Sequence, residues 1–119
     1  MAIDFSRFAD ADYCYLTTTG RVSGKPHTIE IWFALNGHTL YLLSGGREKS
    51  DWVKNVLHLS EVQVKINDTQ FVGKARLVTD GEEDTLARRI VLTKYTPRDS
   101  DDLTGWSRTS LPVAIDLEP

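Results

Sequence analysis

The sequence has little cysteine, no long hydrophobic run and no surplus of basic charge. Its single cysteine, Cys14, excludes an intramolecular disulfide, and no cluster of cysteine and histidine has the spacing of a zinc site. We therefore expect a reducing, cytoplasmic environment and no bound metal. The N-terminus lacks the apolar core of a signal peptide, and no apolar run approaches the roughly 20 residues that a membrane-spanning helix needs. The sequence thus predicts neither export nor membrane insertion.

Basic residues are slightly outnumbered, since the formal net charge is -3. Binding to a nucleic-acid backbone needs a surplus of lysine and arginine on one surface, so we expect no nucleic-acid partner and no oligonucleotide-binding barrel. The basic residues that are present are nevertheless concentrated, because two short loops contain Arg21, Lys25, His27, Arg47 and Lys49. Such loops on a mildly acidic protein favour a small anionic ligand over a polymer.

Motifs for hydrolysis and nucleophilic catalysis are also missing. No Ser-His-Asp set, paired-carboxylate signature or HExxH motif stands out. The segment around Gly20 and Gly24 differs from a P-loop, because only three residues separate the glycines and Pro26 follows Lys25. A chain without its own reactive group is typical of enzymes in which an organic cofactor supplies the chemistry, as in hydride transfer.

The pattern of hydrophobic residues predicts one compact α+β domain over the 119 residues. Alternating side chains indicate five or six mostly antiparallel strands, at 13–19, 27–35, 39–43, 62–66, 71–78 and 111–117. Asn36 and Gly37 supply the two positive-φ positions of a tight hairpin, and Asn67-Asp68 indicates a second one. Apolar residues on both faces of 39–43 suggest that one face meets a partner subunit.

Two helices are predicted where the period of the pattern changes. Spacings of three and four between residues 52 and 59 indicate a helix from about Ser50 to His58. Thr79-Asp80-Gly81-Glu82 matches a capping box and begins a longer helix, one face of which has Leu86, Ile90 and Lys94. A small barrel with helices packed outside it fits this order of elements.

Two basic loops that contain glycine are the candidate anion-binding segments. In the first, from Gly20 to His27, two glycines allow a tight turn whose amides can face a ligand, while arginine, serine and lysine add charge and a hydroxyl donor. The second, from Ser44 to Lys49, ends a strand and begins a helix, so free amides and the positive end of the helix dipole could meet a phosphate. Either loop could instead be a solvated connection, and their occurrence together favours binding.

Several other side chains allow both a structural and a functional interpretation. Trp52 can anchor its helix in the core with Asn55 as a polar or capping residue, or the two can line a cleft that binds a ring. Cys14 is interpreted as a small buried hydrophobic residue of a strand. His38, at a hairpin turn, and His58, at a helix end, are interpreted as structural or solvated residues.

Three segments together form one recognisable pattern: Leu16-Thr17-Thr18-Thr19-Gly20-Arg21-Val22-Ser23-Gly24-Lys25-Pro26, then Ser44-Gly45-Gly46, then Trp52-Val53-Lys54-Asn55. This combination resembles the deazaflavin-dependent nitroreductase family, and the likeness runs from about Tyr13 to the end of the chain. The resemblance implies a split β-barrel, related to FMN-binding oxidase folds, with mostly antiparallel strands and helices outside. It also implies a homodimer.

The resemblance further implies coenzyme F420 as cofactor, and transfer of a hydride from the reduced deazaflavin to a nitroaromatic, quinone or activated enone. It assigns the acidic tail to the first loop, at Arg21, Ser23, Gly24, Lys25 and His27. It assigns the phosphate to the second loop, at Ser44, Gly45, Gly46 and Arg47. Trp52 and Asn55 would lie beside the cofactor, and the proton that follows the hydride would come from water or from Tyr95.

Two other ligands stay open at this stage. The family usually has lysine where this chain has Val22, and FMN, whose tail is one compact phosphate, could use the same two loops. An FMN-dependent oxidoreductase of the same fold is therefore an alternative. A non-catalytic protein that binds a flavin or a tetrapyrrole is another, since related split barrels are diverse.

Overall fold

The computed structural model describes residues 4–118. Its strands are β1 (Cys14–Thr19), β2 (Pro26–Ile31), β3 (Ala34–Asn36), β4 (Thr39–Ser44), β5 (Glu61–Ile66), β6 (Thr69–Leu77) and β7 (Leu111–Leu117). Its helices are α1 (Asp51–His58), α2 (Gly81–Tyr95) and α3 (Thr104–Thr109), with short 3-10 turns at Phe5–Phe8, Arg47–Lys49 and Thr96–Arg98. The predicted α+β class is confirmed, with seven strands in one antiparallel sheet instead of five or six.

The sheet curls into a half-barrel because its two edge strands are neighbours in sequence. The strand order is β2-β1-β5-β6-β7-β4-β3, so β2 and β3 lie at opposite edges. A flat sheet of this size would hold its edges about 29 Å apart, at about 4.8 Å per strand. The backbone from Ile31 to Ala34 reaches at most about 11 Å, so the edges must approach each other. The single strand predicted at 27–35 is therefore wrong, since the chain crosses between edges at Trp32 and Phe33.

The core consists of two apolar layers, one inside the half-barrel and one beneath α2. The inner layer includes Leu16, Leu40, Leu42, Val62, Val64, Ile66, Val113 and Ile115. The outer layer includes Tyr41 and Leu43 of β4, packed with Ala87 and Val91 of α2. The apolar outer face of 39–43 is therefore covered by a helix of the same chain, which corrects the expectation that this face meets a partner subunit.

Both predicted hairpins are confirmed, one of them with a shifted turn. Asn36 pairs with Thr39, so the turn residues between β3 and β4 are Gly37 and His38. Gly37 has a φ of 63° and Asn36 has no positive φ, which corrects the prediction of two positive-φ positions at 36–37. A turn with glycine at its first central position needs positive φ only there. At the second hairpin, Asn67 has a φ of 54°.

The two predicted helices are confirmed, and α2 begins one residue later than expected. Asp80 caps it, because its carboxylate accepts a hydrogen bond of 3.0 Å from the backbone N–H of Glu83. The buried face of α2 shifts accordingly to Ala87, Val91 and Tyr95, and the predicted residues Leu86, Ile90 and Lys94 are partly buried beside it. None of the helices within residues 4–118 is long and apolar enough to cross a membrane.

Candidate functional site

A cleft of about 510 Å³ lies between the β1–β2 loop and the first turns of α1. Its volume is in the range of small-molecule sites. The end of β1, the loop, the start of β2 and α1 all contribute to its walls, through Thr18, Gly20, Arg21, Val22, Ser23, His27, Thr28, Ile29, Asp51, Trp52 and Asn55.

The β1–β2 loop is closed by its own hydrogen bonds. The backbone N–H of Gly20 donates to the carbonyl of Lys25 at 2.8 Å, and that of Gly24 donates to the carbonyl of Gly20 at 2.9 Å. Gly24 has a φ of 72°, which favours glycine. A Cβ atom on Gly20 would lie 2.7 Å from both His27 Nε2 and Ser23 Oγ, so the two side chains pack directly on this glycine. The two glycines thus give the loop its tight shape.

The tip of this loop leaves two neighbouring amides available. The N–H of Arg21 donates to Asn55 Oδ1 at 3.2 Å and that of Lys25 donates to Ser23 Oγ at 3.1 Å, in addition to the bonds that close the loop. Within residues 4–118, the amides of Val22 and Ser23 have no acceptor. Adjacent backbone N–H groups at an exposed turn are a typical anion-binding arrangement.

Asn55 joins the loop, β1 and α1 through one buried amide. Its Nδ2 donates to Thr18 Oγ1 at 3.1 Å, and its Oδ1 accepts from Arg21 Nη1 at 2.8 Å. Asn55 is only 3% exposed and Thr18 only 2%, so each polar group depends on the other for a partner. The Arg21 guanidinium also contacts Asp51, with 3.2 Å between Nη2 and Oδ1. The position of the Arg21 side chain is therefore set by α1.

Most of the residues expected in the first loop and α1 come together in this cleft. Arg21, Ser23 and His27 line it from the loop and β2, and Trp52 and Asn55 line it from α1. Gly24 and Lys25 belong to the same loop but do not line the cleft. Asn55 is a buried hub, and Trp52 is half-buried at the wall of the cleft while also packing against the core.

The second predicted loop does not reach the cleft. Ser44 Oγ contacts the carbonyl of Arg47 at 3.0 Å and Ser50 Oγ at 2.8 Å, and Arg47 Nη1 donates to the carbonyl of Thr109 at 2.7 Å. Gly45 lies against Trp106, and a Cβ atom on Gly46 would lie 2.5 Å from Ser50 Oγ. Within the described chain no residue of this second loop lines the cleft, although Ser50, which Ser44 contacts, directly precedes Asp51 of the cleft wall.

Tyr95 is buried away from the cleft and does not line it. Its hydroxyl accepts from the backbone N–H of Phe33 at 3.0 Å and donates to the carbonyl of Asp12 at 2.7 Å, while its ring stacks on Trp32 at a centroid distance of 4.2 Å. Burial raises the pKa of Tyr95 to about 12. These contacts hold the crossover between the sheet edges, so the structure gives Tyr95 a structural role and no access to a substrate in the cleft.

Other features of the cleft were not expected from the sequence. Asp51 was missed, although its spacing of four from Asn55 places both on one face of a helix. Val22 is 93% exposed at the tip of the loop, and Ile29 adds a second apolar side chain to the wall. No group of three or more histidine, cysteine, aspartate or glutamate side chains in the described part of the chain could hold a metal ion.

Solved structures share this fold at low sequence identity. An F420-H2-dependent reductase, FDR-A, is 24% identical with a TM-score of 0.70, over 90% of this chain and 94% of that one. A chain described as a domain-swapped dimer is also 24% identical with a TM-score of 0.70, over 90% and 80%. The heme storage protein HutZ from Vibrio cholerae is 17% identical with a TM-score of 0.69, over 97% and 88%. Since a reductase and a heme storage protein share the fold, the fold alone does not decide the function.

The comparison with protein families gives the decisive information. The model for the F420H(2)-dependent quinone reductase family matches residues 5–118, which is almost the whole chain. It confirms the resemblance to deazaflavin-dependent reductases, the expected split β-barrel and coenzyme F420 as the cofactor. The chain belongs to the F420H(2)-dependent quinone reductase family and is an F420-dependent reductase.

Proposed function

We propose that the cleft between the β1–β2 loop and α1 binds coenzyme F420, and that the acceptor is a quinone, a nitroaromatic or an activated enone. When bound in reduced form, the deazaflavin supplies the hydride. The observation that carries the proposal is the pair of available amides at Val22 and Ser23, next to the fixed guanidinium of Arg21 in one cleft. The chain itself binds, orients and shields the reactants.

The donors of the loop suit an anionic tail. Ser23 Oγ accepts from the N–H of Lys25, which leaves its own hydrogen free to donate. Lys25 is exposed beside this hydroxyl and adds a positive charge. Amides, a hydroxyl and two cationic side chains can hold phosphate or carboxylate oxygens by charge-assisted hydrogen bonds. The proposed contacts are therefore made by Arg21, Ser23 and His27, with Gly24 shaping the turn and Lys25 adding positive charge from outside the cleft.

The apolar part of the cleft suits a ring system. Trp52 and Ile29 line it opposite the polar loop. We propose that these two side chains would contact the deazaflavin and exclude water from one of its faces. Ser44, Gly45, Gly46 and Arg47 enter this proposal indirectly, because Ser44 holds Ser50 at the start of α1. No contact to the cofactor is proposed for these four residues, nor for Tyr95.

Binding titrations test the assignment of the cleft. Purified protein is titrated with F420 and with FMN, each in oxidised and reduced form, and fluorescence reports binding. We expect micromolar affinity for F420 and none for FMN. Tight binding of FMN with no response to F420 would contradict the proposed ligand. The same experiment with heme tests the third candidate, since a binding protein of that kind would respond to heme and show no reductase turnover.

A panel of acceptors tests the proposed reaction. Menadione, a nitroaromatic and a cyclic enone are offered to the protein with reduced F420, and oxidation of the cofactor is followed by its absorbance. The family match favours quinones, so we expect the highest kcat/KM for menadione. Oxidation with none of the acceptors, in protein that binds F420, would contradict the proposed acceptor classes.

We also propose a homodimer in a reducing, cytoplasmic compartment. A similar chain is described as a domain-swapped dimer. Tyr13 and Tyr15 are 41% and 38% exposed and contact each other edge to face at the start of β1, which makes them candidates for a contact between subunits. Burial raises the pKa of the Cys14 thiol to about 12, which suits a reduced, unreactive cysteine. Sedimentation velocity tests the dimer, and a single monomer peak would contradict it.

A further inference from the structure

Among residues 4–118, Asp51 is the only negatively charged residue that lines the cleft. Its carboxylate faces Arg21, so these two formal charges cancel at the wall where an anionic tail would bind. Lys25, which does not line the cleft, is the nearest further cation in the loop sequence. The cleft is therefore less positive than the basic composition of its loop suggests.

Asp51 and Asn55 each accept a hydrogen bond from a different nitrogen of the Arg21 guanidinium. Asn55 Oδ1 holds Nη1 at 2.8 Å, and Asp51 Oδ1 holds Nη2 at 3.2 Å. The Asn55 side chain is buried and its contact with Arg21 is partly buried, whereas the Asp51 side chain is 84% exposed. An exposed ion pair of this kind is weak and easily exchanged for another anion. Asp51 can thus leave Arg21 without any change in the buried part of the network.

We propose that Asp51 is a specificity-determining residue that limits how much negative charge the cleft accepts in the tail of its cofactor. The proposal rests on the proposed function of the cleft. An oxygen of the tail competes with Asp51 for the outer guanidinium nitrogen of Arg21. Further negative charges on the tail then meet the displaced carboxylate at the rim. The cost rises with each added carboxylate, because every one of them is repelled by the same fixed charge.

The proposal predicts that affinity depends little on the number of glutamates in the tail. Each additional glutamate of an F420 tail normally gains attraction from a basic loop. Here the gain from Arg21 and Lys25 is offset by Asp51, so affinity should change little with tail length. In an Asp51→Asn variant, the neutral and nearly isosteric amide keeps an acceptor for Arg21 Nη2 and removes only the charge.

Asp51→Asn is the test variant, and Asp68→Asn is its matched control. Asp68 is an exposed aspartate in the β5–β6 turn, at the end of β5 that pairs with the start of β1 and hence away from the cleft. Three probes are titrated by fluorescence at low salt: long-tail F420, short-tail F420 and the tail-free deazaflavin chromophore. We expect Asp51→Asn to tighten binding of long-tail F420 by roughly two- to threefold for each tail carboxylate within reach, as a Coulomb interaction across about 8 Å of water gives.

The three probes separate this proposal from the assignment of the cleft. Short-tail F420 should gain less than long-tail F420, the chromophore should be unaffected, and Asp68→Asn should match the parent protein with every probe. An equal effect of Asp51→Asn on all three probes, or no effect on any, would overturn the role of Asp51 while F420 binding by the parent upholds the cleft. Failure of both proteins to bind any form of F420 would overturn both proposals.

Discussion

The two basic loops have similar compositions, but only one of them lines the cleft. Each follows a strand of the same sheet, contains glycine and has an arginine, yet the loop at 20–27 lines the cleft and the loop at 44–49 does not. The first places its arginine and serine in the cleft, whereas the second directs its serine and arginine to Ser50 and Thr109. Composition therefore identifies loops that are able to bind an anion, and the contacts of their side chains decide which of them presents its charge to the cleft.

The two loops also differ in what they pack against. The first loop connects β1 to the edge strand β2 and contacts α1 through Arg21. The second leaves β4, which is covered by α2, and it packs against Trp106 of α3. Ser44 is buried and needs polar partners within the protein, whereas residues 45–49 after it are exposed. The following predictions test how far the comparison holds, from the largest expected effect to the smallest.

Removal of the Asn55 side chain should have the largest effect, because it frees the first loop from α1. Asn55→Ala leaves Thr18 and Arg21 without their shared partner, and we expect the free energy of unfolding to fall by about 2–3 kcal/mol. F420 affinity should fall with it. Urea unfolding and fluorescence titration measure the two effects. Thr18→Val, which removes one hydroxyl and leaves Asn55 Nδ2 without its partner, should cost less, about 1–2 kcal/mol. An Asn55→Ala protein as stable as the parent would contradict the role of Asn55 in joining the first loop, β1 and α1.

Matched arginine substitutions compare the two loops directly. Arg21→Ala should weaken F420 binding by about tenfold, since it removes a charge-assisted contact from the cleft. Arg47→Ala should change affinity by less than about twofold, because the Arg47 guanidinium donates to Thr109 outside the cleft. Titrations at one salt concentration measure both. Equal losses of F420 affinity in the two variants would contradict the difference between the loops and would include the second loop in the binding site.

The fold was largely predictable because its signals are local. The alternation of apolar and polar side chains predicted β1, β5, β6 and β7 within a few residues, and glycine and asparagine indicated both hairpins. The failure at 27–35 has a physical cause. Ile29, Ile31 and Phe33 alternate as in a single strand, but the closure of the half-barrel requires the chain to change edges at Trp32. Closure is a long-range property that alternation does not encode.

The candidate site was only partly predictable from residue types. Arg21, Ser23 and His27 share a short loop, so sequence alone could group them. Asp51 was missed because an acidic residue at the start of a helix has an ordinary explanation in the helix dipole. Tyr95 was chosen for its phenol group, and nothing in the sequence near it indicates that its hydroxyl would bind the crossover at Phe33.

Serine substitutions should affect the two loops in opposite ways. A change in the second loop should lower stability, and a change in the first loop should lower the affinity for F420. Ser44 is 2% exposed, and its hydroxyl contacts the carbonyl of Arg47, a residue held at a φ of 53°. We expect Ser44→Ala to cost about 1 kcal/mol in urea unfolding with unchanged F420 affinity. Ser23→Ala should do the opposite, with a stability change of a few tenths of a kcal/mol and weaker binding, because Ser23 is exposed in the cleft. A loss of affinity confined to Ser44→Ala would contradict the comparison.

Lys25 should have the smallest effect and the strongest dependence on salt. Its side chain is exposed and does not line the cleft, so it would act on an anionic tail through the solvent. Lys25→Ala should weaken F420 binding by roughly two- to threefold at low ionic strength, and the difference should vanish near 1 M salt, where the Debye length is about 3 Å. Arg21→Ala should keep most of its effect under the same conditions, because Arg21 is partly buried and fixed by Asn55. If the losses of the two variants fell in parallel with salt, both residues would act at long range and the cleft would make no direct contact with the tail.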